Sequence, residues 1–323
     1  MKQIIRALGL TAAFVVALGV SAGAAVAQEY PTQPIKFIIP YAPGGGTDAA
    51  AAVFSDKLSQ MLGQPIVKEN HPGSNSVIGT ALLSQAKPDG HTLMVVTGAI
   101  ANNPFLYANL PYDTNKLVPV SILTSYPFVL GVRSDLPFKD MNELIAYAKA
   151  NPGKLTAGSS GRGSGAQLAL GLLNSAAGIE IREIPFKGAG ESLNNVAGGF
   201  VDMVLSGYET VRPFAESGKM KFFAHTGTGE MGTEKIPPIG ASVPGYEYQN
   251  WLALIAPPAT PSHVTDKLND ALTKIFAEKE VKDRLAGQNI QGIASTAAEA
   301  KAYLDTEMAK SKTIIENIGL KPE

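Results

Sequence analysis

The sequence contains no cysteine. That excludes zinc ribbons, iron–sulfur clusters, thiol nucleophiles, disulfide scaffolds and lipid acylation of a leader cysteine. Charge is sparse: 17% of residues are Asp, Glu, Lys or Arg, and the 27 basic residues nearly balance the 28 acidic ones. A nucleic-acid binder relies on a surplus of basic side chains to neutralise phosphate, so no nucleic-acid partner is expected. Arginine is scarcer still, with Arg133, Arg162, Arg182, Arg212 and Arg284 the only ones beyond Arg6. Long apolar runs are missing too. The nearest approach, Ala7 to Val20, falls short of the roughly 20 residues that span a bilayer. A G-x-S-x-G nucleophile motif, a P-loop and H-E-x-x-H are all absent, and none of His71, His91, His225 and His263 has a histidine four residues away.

What is present begins with the N-terminus. Lys2 and Arg6 precede the apolar run, and small residues then lead to Ala25-Val26-Ala27. This three-part layout predicts a secretory signal peptide over residues 1–27, cleaved after Ala27, and therefore an exported protein. The two positive charges removed with it take the net charge from −1 to −3.

Beyond the leader, short β-branched runs alternate with Ala/Leu-rich amphipathic stretches, the pattern of βα units around a parallel sheet. The first series predicts strands over 35–39, 65–67 and 92–97, with helices over 48–61 and 78–85. A second begins at Phe128, with strands over 128–132, 155–158, 181–185, 201–205 and 220–225 and helices over 142–150, 166–177 and 190–197. Two polar-faced helices, 262–278 and 297–317, close the chain; Thr260, Ser262, Ser295 and Thr296 are their capping candidates. Two series of similar weight predict an α/β fold of two lobes with a cleft between them. The crossings are expected near Leu123–Phe128 and Gln249–Ala256.

Each lobe carries a Gly/Ser-rich turn between a strand and a helix. One is Tyr41-Ala42-Pro43-Gly44-Gly45-Gly46-Thr47-Asp48 and the other Ser159-Ser160-Gly161-Arg162-Gly163-Ser164-Gly165. A third, Lys187-Gly188-Ala189-Gly190, repeats the device. Ligands of open α/β sheets bind beyond the carboxyl ends of strands, where glycine lets them approach backbone N–H groups. A helix N-terminus behind such a turn adds unpaired donors and about half a positive charge. A small anion, a carboxylate above all, fits such turns without arginine. Thr47 and Asp48 are expected as helix caps, with an alternative for Asp48 of pairing with the amine of an amino-acid ligand. Tyr41, Tyr208 and Trp251 are candidates for stacking on an aromatic ligand. Gly161 to Ala166 also matches a loose dinucleotide fingerprint, with Glu180 and Glu183 where a ribose acid would stand, but an exported protein meets little dinucleotide.

An ordered set of motifs resembles the solute receptors of the tripartite tricarboxylate transporters, the Bug proteins. It comprises Pro40 to Asp48, Glu69-Asn70-His71-Pro72-Gly73, Pro88 to Leu93, Leu110-Pro111-Tyr112-Asp113, Gly161-Arg162-Gly163-Ser164, Phe186 to Gly190, Gly198 to Asp202, and Trp251 with Ala256 to Pro261. The resemblance spans essentially the whole exported chain. It implies a non-enzymatic, two-lobed periplasmic binding protein of the type II-like, venus-flytrap kind, without cofactor or metal. Such a receptor captures a small carboxylated acid and delivers it to the membrane subunits of its transporter; a monomer is expected. Residues 28–125 and 250–323 would form lobe 1 and residues 126–249 lobe 2.

Carried over residue by residue, the resemblance places Ala42, Gly45, Gly46 and Thr47 on one carboxylate, beside Tyr41, Asp48 and Thr97. Ser159, Ser160 and Ser164 would approach from the other lobe, with Gly188, Ala189 and Asp202 nearby. Three positions depart from the family pattern: Ala52 stands for an arginine, Gln167 for a histidine, and His71-Pro72-Gly73-Ser74-Asn75-Ser76 for Arg-Pro-Gly-Ala-Gly-Gly. The alternative from another class is an exported α/β hydrolase acting on a small ester or amide.

Overall fold

The computed structural model describes residues 30–43 and 46–323. The segment expected to be a signal peptide, residues 1–27, and Gly45 lie outside the described residues.

Two mixed sheets organise the chain. The first contains β1 (Ile35–Ile39), β2 (Ile66–Asn70), β3 (Thr92–Thr97), β4 (Val118–Pro127), β10 (Gln249–Ala256) and β11 (Gln291–Gly292), in the order β11-β4-β10-β3-β1-β2. The second contains β5 (Val129–Arg133), β6 (Thr156–Ser159), β7 (Arg182–Pro185), β8 (Met203–Ser206) and β9 (Met220–His225), in the order β7-β6-β8-β5-β9. The helices are α1 (Gly46–Leu62), α2 (Val77–Ser84), a single turn α3 (Ala99–Asn102), α4 (Met141–Ala150), α5 (Gly165–Ala177), α6 (Ala189–Ala197), α7 (Tyr208–Glu216), α8 (Ser262–Ala277), α9 (Lys279–Ala286) and α10 (Ala297–Asn317).

The central strands are apolar without alternation because both faces of each sheet are covered. Phe37, Leu93, Val95, Leu252 and Leu254 turn to one side and pack on Phe54 and Leu58 of α1 and Leu268 and Leu272 of α8. Ile38, Met94, Val96, Trp251 and Ile255 turn to the other and meet Leu83 of α2 and Leu304 of α10. Lobe 2 repeats this scheme. Leu130, Ala157, Met203 and Leu205 face Leu144 of α4 and Leu173 of α5, and Val204 faces Val196 of α6 and Val211 of α7.

The chain leaves the first sheet at Pro127 and enters the second at Val129, so Phe128 alone separates strands of different sheets. The return runs between His225 and Gln249; the second segment expected to cross, Gln249–Ala256, is instead a strand of the first sheet. Thr226 ties the two crossings together. Its N–H donates to Phe128 O (2.8 Å), its hydroxyl accepts from Phe128 N–H (2.8 Å) and donates to Tyr248 O (2.6 Å).

Six of the elements were not read as strands or helices in the sequence: β4, β10, β11, α7, α9 and the turn α3. Pro119 and Pro127 argue against a strand, yet they stand near the two ends of β4. Pro213 argues against a helix in the same way, but lies in a two-and-a-half-turn helix whose inner face is held by Tyr208 and Val211.

Candidate functional site

Strands β1, β2 and β3 run parallel, so their carboxyl ends lie along one edge of the first sheet. Strands β6, β7 and β8 do the same in the second. The turns 160–165 and 187–190 follow from the ends of β6 and β7, and Asn102, beyond the end of β3, bonds to Gly163 of the first of them (2.8 Å). In lobe 1, Tyr41 and Thr97 extend β1 and β3 to the same level, with Tyr41 Oη 2.5 Å from Thr97 Oγ1. Burial pushes the Tyr41 hydroxyl up to about 12, so it stays a neutral hydrogen-bond group at physiological pH. Asn70 at the end of β2 donates to Tyr41 O (3.0 Å) and reaches Asp48 Oδ2 at 3.4 Å.

Thr47 and Asp48 were expected as caps. Helix α1 begins at Gly46, so both sit inside its first turn, Thr47 buried and Asp48 complementing the positive end of the helix dipole. Ala42 is exposed in the loop ahead of them.

In lobe 2, Ser159 and Ser164 are buried and their hydroxyls are engaged within the lobe. Ser159 Oγ donates to Glu183 Oε1 (2.5 Å) and accepts from Gly161 N–H (3.1 Å). Ser164 caps α5, accepting from Gln167 N–H (3.3 Å). Gln167 bridges inward, its Nε2 donating to Glu183 Oε2 (2.5 Å) while its Oε1 accepts from Gly163 N–H (2.7 Å). The half-buried Ser160 hydroxyl has no hydrogen bond among the described residues. Gly161 and Gly163 adopt φ of +107° and +74°, a region where a side chain is strained.

The third turn is partly occupied by its own helix: Glu191 accepts from Lys187 N–H (3.0 Å) ahead of α6, where Gly188 and Ala189 stand. Arg162, the arginine of these loops, points away to the C-terminal segment. Its Nε lies 2.9 Å from Glu323 and its Nη2 donates to Lys321 O (2.5 Å).

Asp202 corrects the expectation placed on it. It pairs with Thr156, whose N–H and hydroxyl both donate to its carboxylate at 2.9 Å, and it lies 3.6 Å from Arg133 Nη1. Thr156 begins β6 and Ser159 ends it, so Asp202 stands about 10 Å from the loop edge, at the amino ends of the strands. The carboxyl end of β8 is Ser206, followed by Gly207 and α7, a strand–glycine–helix turn of the same kind as the three read from the sequence.

Other groups at this level were missed because no motif marks them. Asn250 donates to Tyr126 Oη (2.5 Å), and burial pushes that hydroxyl up to about 12. Asn75, Asn102 and Asn103 form an amide cluster beside Gly163. Two of the three stacking candidates are packing residues. Trp251 is buried with its Nε1 donating to Glu307 (3.1 Å), and Tyr208 stacks on Phe222 and donates to Glu234 (2.7 Å). Among the described residues no serine hydroxyl is hydrogen-bonded to a histidine, the pairing that would activate a nucleophile.

The carboxyl ends of the two sheets therefore carry hydroxyls and an amide, Tyr41, Thr97 and Asn70 on one side and Ser160 on the other, with the carboxylate of Asp48 beside Asn70. The profile of the tripartite tricarboxylate transporter family receptor matches residues 50–320. The UPF0065 protein in the gbd 5'region of Cupriavidus necator is 33% identical over 99% of this chain and 98% of its own. A Rhodopseudomonas palustris protein solved with adipate superposes with a TM-score of 0.86 at 26% identity, over 91% of this chain and 100% of that one. MatC of the same organism, solved with bound malate, gives a TM-score of 0.80 at 26% identity, over 88% and 100%.

Proposed function

This chain belongs to the tripartite tricarboxylate transporter receptor family, and on that premise we propose that it is a periplasmic receptor that closes on a small dicarboxylate and delivers it to the membrane subunits of a tripartite transporter. The observation that carries the reading is that Tyr41 and Thr97 in lobe 1 and the glycine-rich turn 160–165 in lobe 2 all lie at the carboxyl ends of parallel strands, with Asn102 bonded to Gly163 between the lobes and Arg162 held by the C-terminal segment. Helix starts and N–H groups suit carboxylates at both ends of a short acid. Adipate and malate, bound by two relatives of the same fold, are both dicarboxylates. The signal-peptide layout supports export to the periplasm.

Closure removes the carboxylates from water and replaces hydration by charge-assisted hydrogen bonds, each worth about 1.5–3 kcal/mol. The ligand binds the closed arrangement better, so loading shifts the population of the state offered to the transporter. Residues 28–125 with 250–323 act as one lobe in this scheme and 126–249 as the other.

A thermal-shift series of the exported chain against mono-, di- and tricarboxylates, aromatic acids and acidic amino acids tests the reading. A solute at 100 times its Kd stabilises by about 2.7 kcal/mol, a clear rise in Tm. The dicarboxylates are expected to give the largest shift, and silence from every acid would overturn the assignment. Ser160→Ala, which removes the one loop hydroxyl not engaged within its lobe, should weaken the best solute about tenfold or more while leaving the unliganded Tm unchanged. Unaltered affinity would remove Ser160 from the site.

A further inference from the structure

The loop Gly73–Ser76, which departs from the family's glycine-rich pattern, has an uncommon backbone. Ser74, Asn75 and Ser76 follow one another at φ of +44°, +48° and +75°. Side-chain-bearing residues seldom occupy this region, and a run of three requires surroundings that hold it. Those surroundings are two further asparagines. Asn75 Nδ2 donates to Asn103 Oδ1 (3.1 Å), and Asn103 Nδ2 returns a bond to Asn75 O (2.9 Å). The adjacent Asn102, 2% exposed, accepts from Ser311 Oγ of α10 (2.7 Å) and donates to Gly163 O (2.8 Å).

Gly163 belongs to lobe 2 and everything else in this cluster to the first sheet's side. The fit is tight: a Cβ on Gly163 would stand 2.6 Å from Leu106 Cδ1 and 2.7 Å from Asn75 Nδ2. Behind it, Gly163 N–H is held by Gln167, which is anchored to Glu183. One hydrogen-bonded path therefore runs from β7 through the lobe-2 solute loop into lobe 1 and on to α10.

We propose that Asn75 and Asn102 are positioning residues that seat Gly163 in lobe 1, holding the solute loop Ser160–Gly165 in place and populating the closed arrangement before a solute arrives. The inference rests on the two-lobed receptor reading for its consequence. Apparent affinity scales with the fraction of molecules already competent to bind, so the asparagines raise affinity without touching the solute.

The absence of cysteine makes the test direct. Lys68→Cys in β2 and Lys149→Cys in α4, both at exposed positions, place one spin label on each lobe of an otherwise thiol-free chain. Pulsed electron paramagnetic resonance then reads the interlobe distance with no carboxylate added. The parent should show mainly a short distance. Asn102→Ala should raise the open-to-closed ratio about fivefold, the worth of one buried hydrogen bond. Asn75→Gly, which suits the φ of +48°, and Gly163→Ala, which forces the seat apart, should move it in the same direction. An unchanged distribution in all three variants, or a parent that is mainly open, would overturn the proposal. This readout needs no solute, so it stands apart from any failure to find a dicarboxylate.

Discussion

Gly79 shows how one hydrogen in place of a methyl group is decided by its neighbours. Replacing glycine by alanine inside a helix ordinarily stabilises by about 0.8–1 kcal/mol. Here a Cβ would lie 2.7 Å from Pro40 Cβ and 3.3 Å from Pro40 Cα, where the rigid ring cannot swing aside. Overpacking of that kind costs about 1–3 kcal/mol, so Gly79→Ala should be net destabilising by about 1 kcal/mol in urea titration. A gain would show that Pro40 yields. His225 carries a second prediction at this scale. It is buried at the start of the return crossing; its Nε2–H donates to Gly229 O (2.8 Å) and its Nδ1 accepts from Gly227 N–H (3.1 Å). Burial holds its imidazole below the ordinary value. The unfolded chain then takes up the proton first, so this contribution is complete above about pH 6.5 and is lost as pH falls below it. The Tm should drop between pH 7 and pH 5.5, and His225→Gln should flatten that slope. The carboxylates whose values are lowered, Glu69, Glu234, Glu280 and Glu299, titrate below this window.

Elements differ in how openly their ends are written. Thr296 opens α10 with a capping box: its hydroxyl accepts from Glu299 N–H (3.2 Å) and Glu299 Oε2 accepts from Thr296 N–H (2.9 Å). Thr296→Ala should cost about 1 kcal/mol in chemical denaturation, and a negligible change would mean packing alone holds this end. The same reasoning does not transfer to α8. Thr260 bonds back to Pro257 O (2.8 Å), and Pro261 occupies the cap position without a side-chain bond. Polar residues near a helix start identify the start; which of them caps it depends on the path of the incoming chain. Strands such as β1 and β3 were legible because each holds a continuous apolar run, Phe37–Ile39 and Leu93–Val96. The proline-flanked β4 was not, since its partner β10 supplies the pairing that proline weakens.

The whole molecule is joined by more than its two crossings. Leu106 from lobe 1, Leu168 from α5 and Ile315 from α10 form a buried cluster, and Ile318 packs against Gly171. The last helix thus begins on the first sheet, where Leu304 meets Trp251, and ends on lobe 2. Leu168→Ala should cost about 2–5 kcal/mol, the range for opening a cavity at a buried leucine. It should also separate two probes expected to coincide in the parent, Trp251 fluorescence for lobe 1 and a label on α4 for lobe 2. Coincident transitions in the variant would show that the strand crossings alone couple the lobes.

The amino-acid order by itself carried the two-lobed α/β fold and the family, because hydrophobic period and glycine placement are local properties. Tyr41 and Thr97 lie at one level because Tyr41 follows β1 and Thr97 ends its parallel neighbour β3. The tertiary structure alone decided which polar groups are still available there. Ser159 and Ser164 are engaged by Glu183 and a helix start, Arg162 by the tail, and Asp202 lies at the far end of its sheet. It also placed Asn75, Asn102 and Gly163 together across the lobes, from positions up to 88 residues apart. A hydrogen bond has one geometry and many candidate partners. Its choice follows from packing of the whole chain, which no local pattern of residues contains.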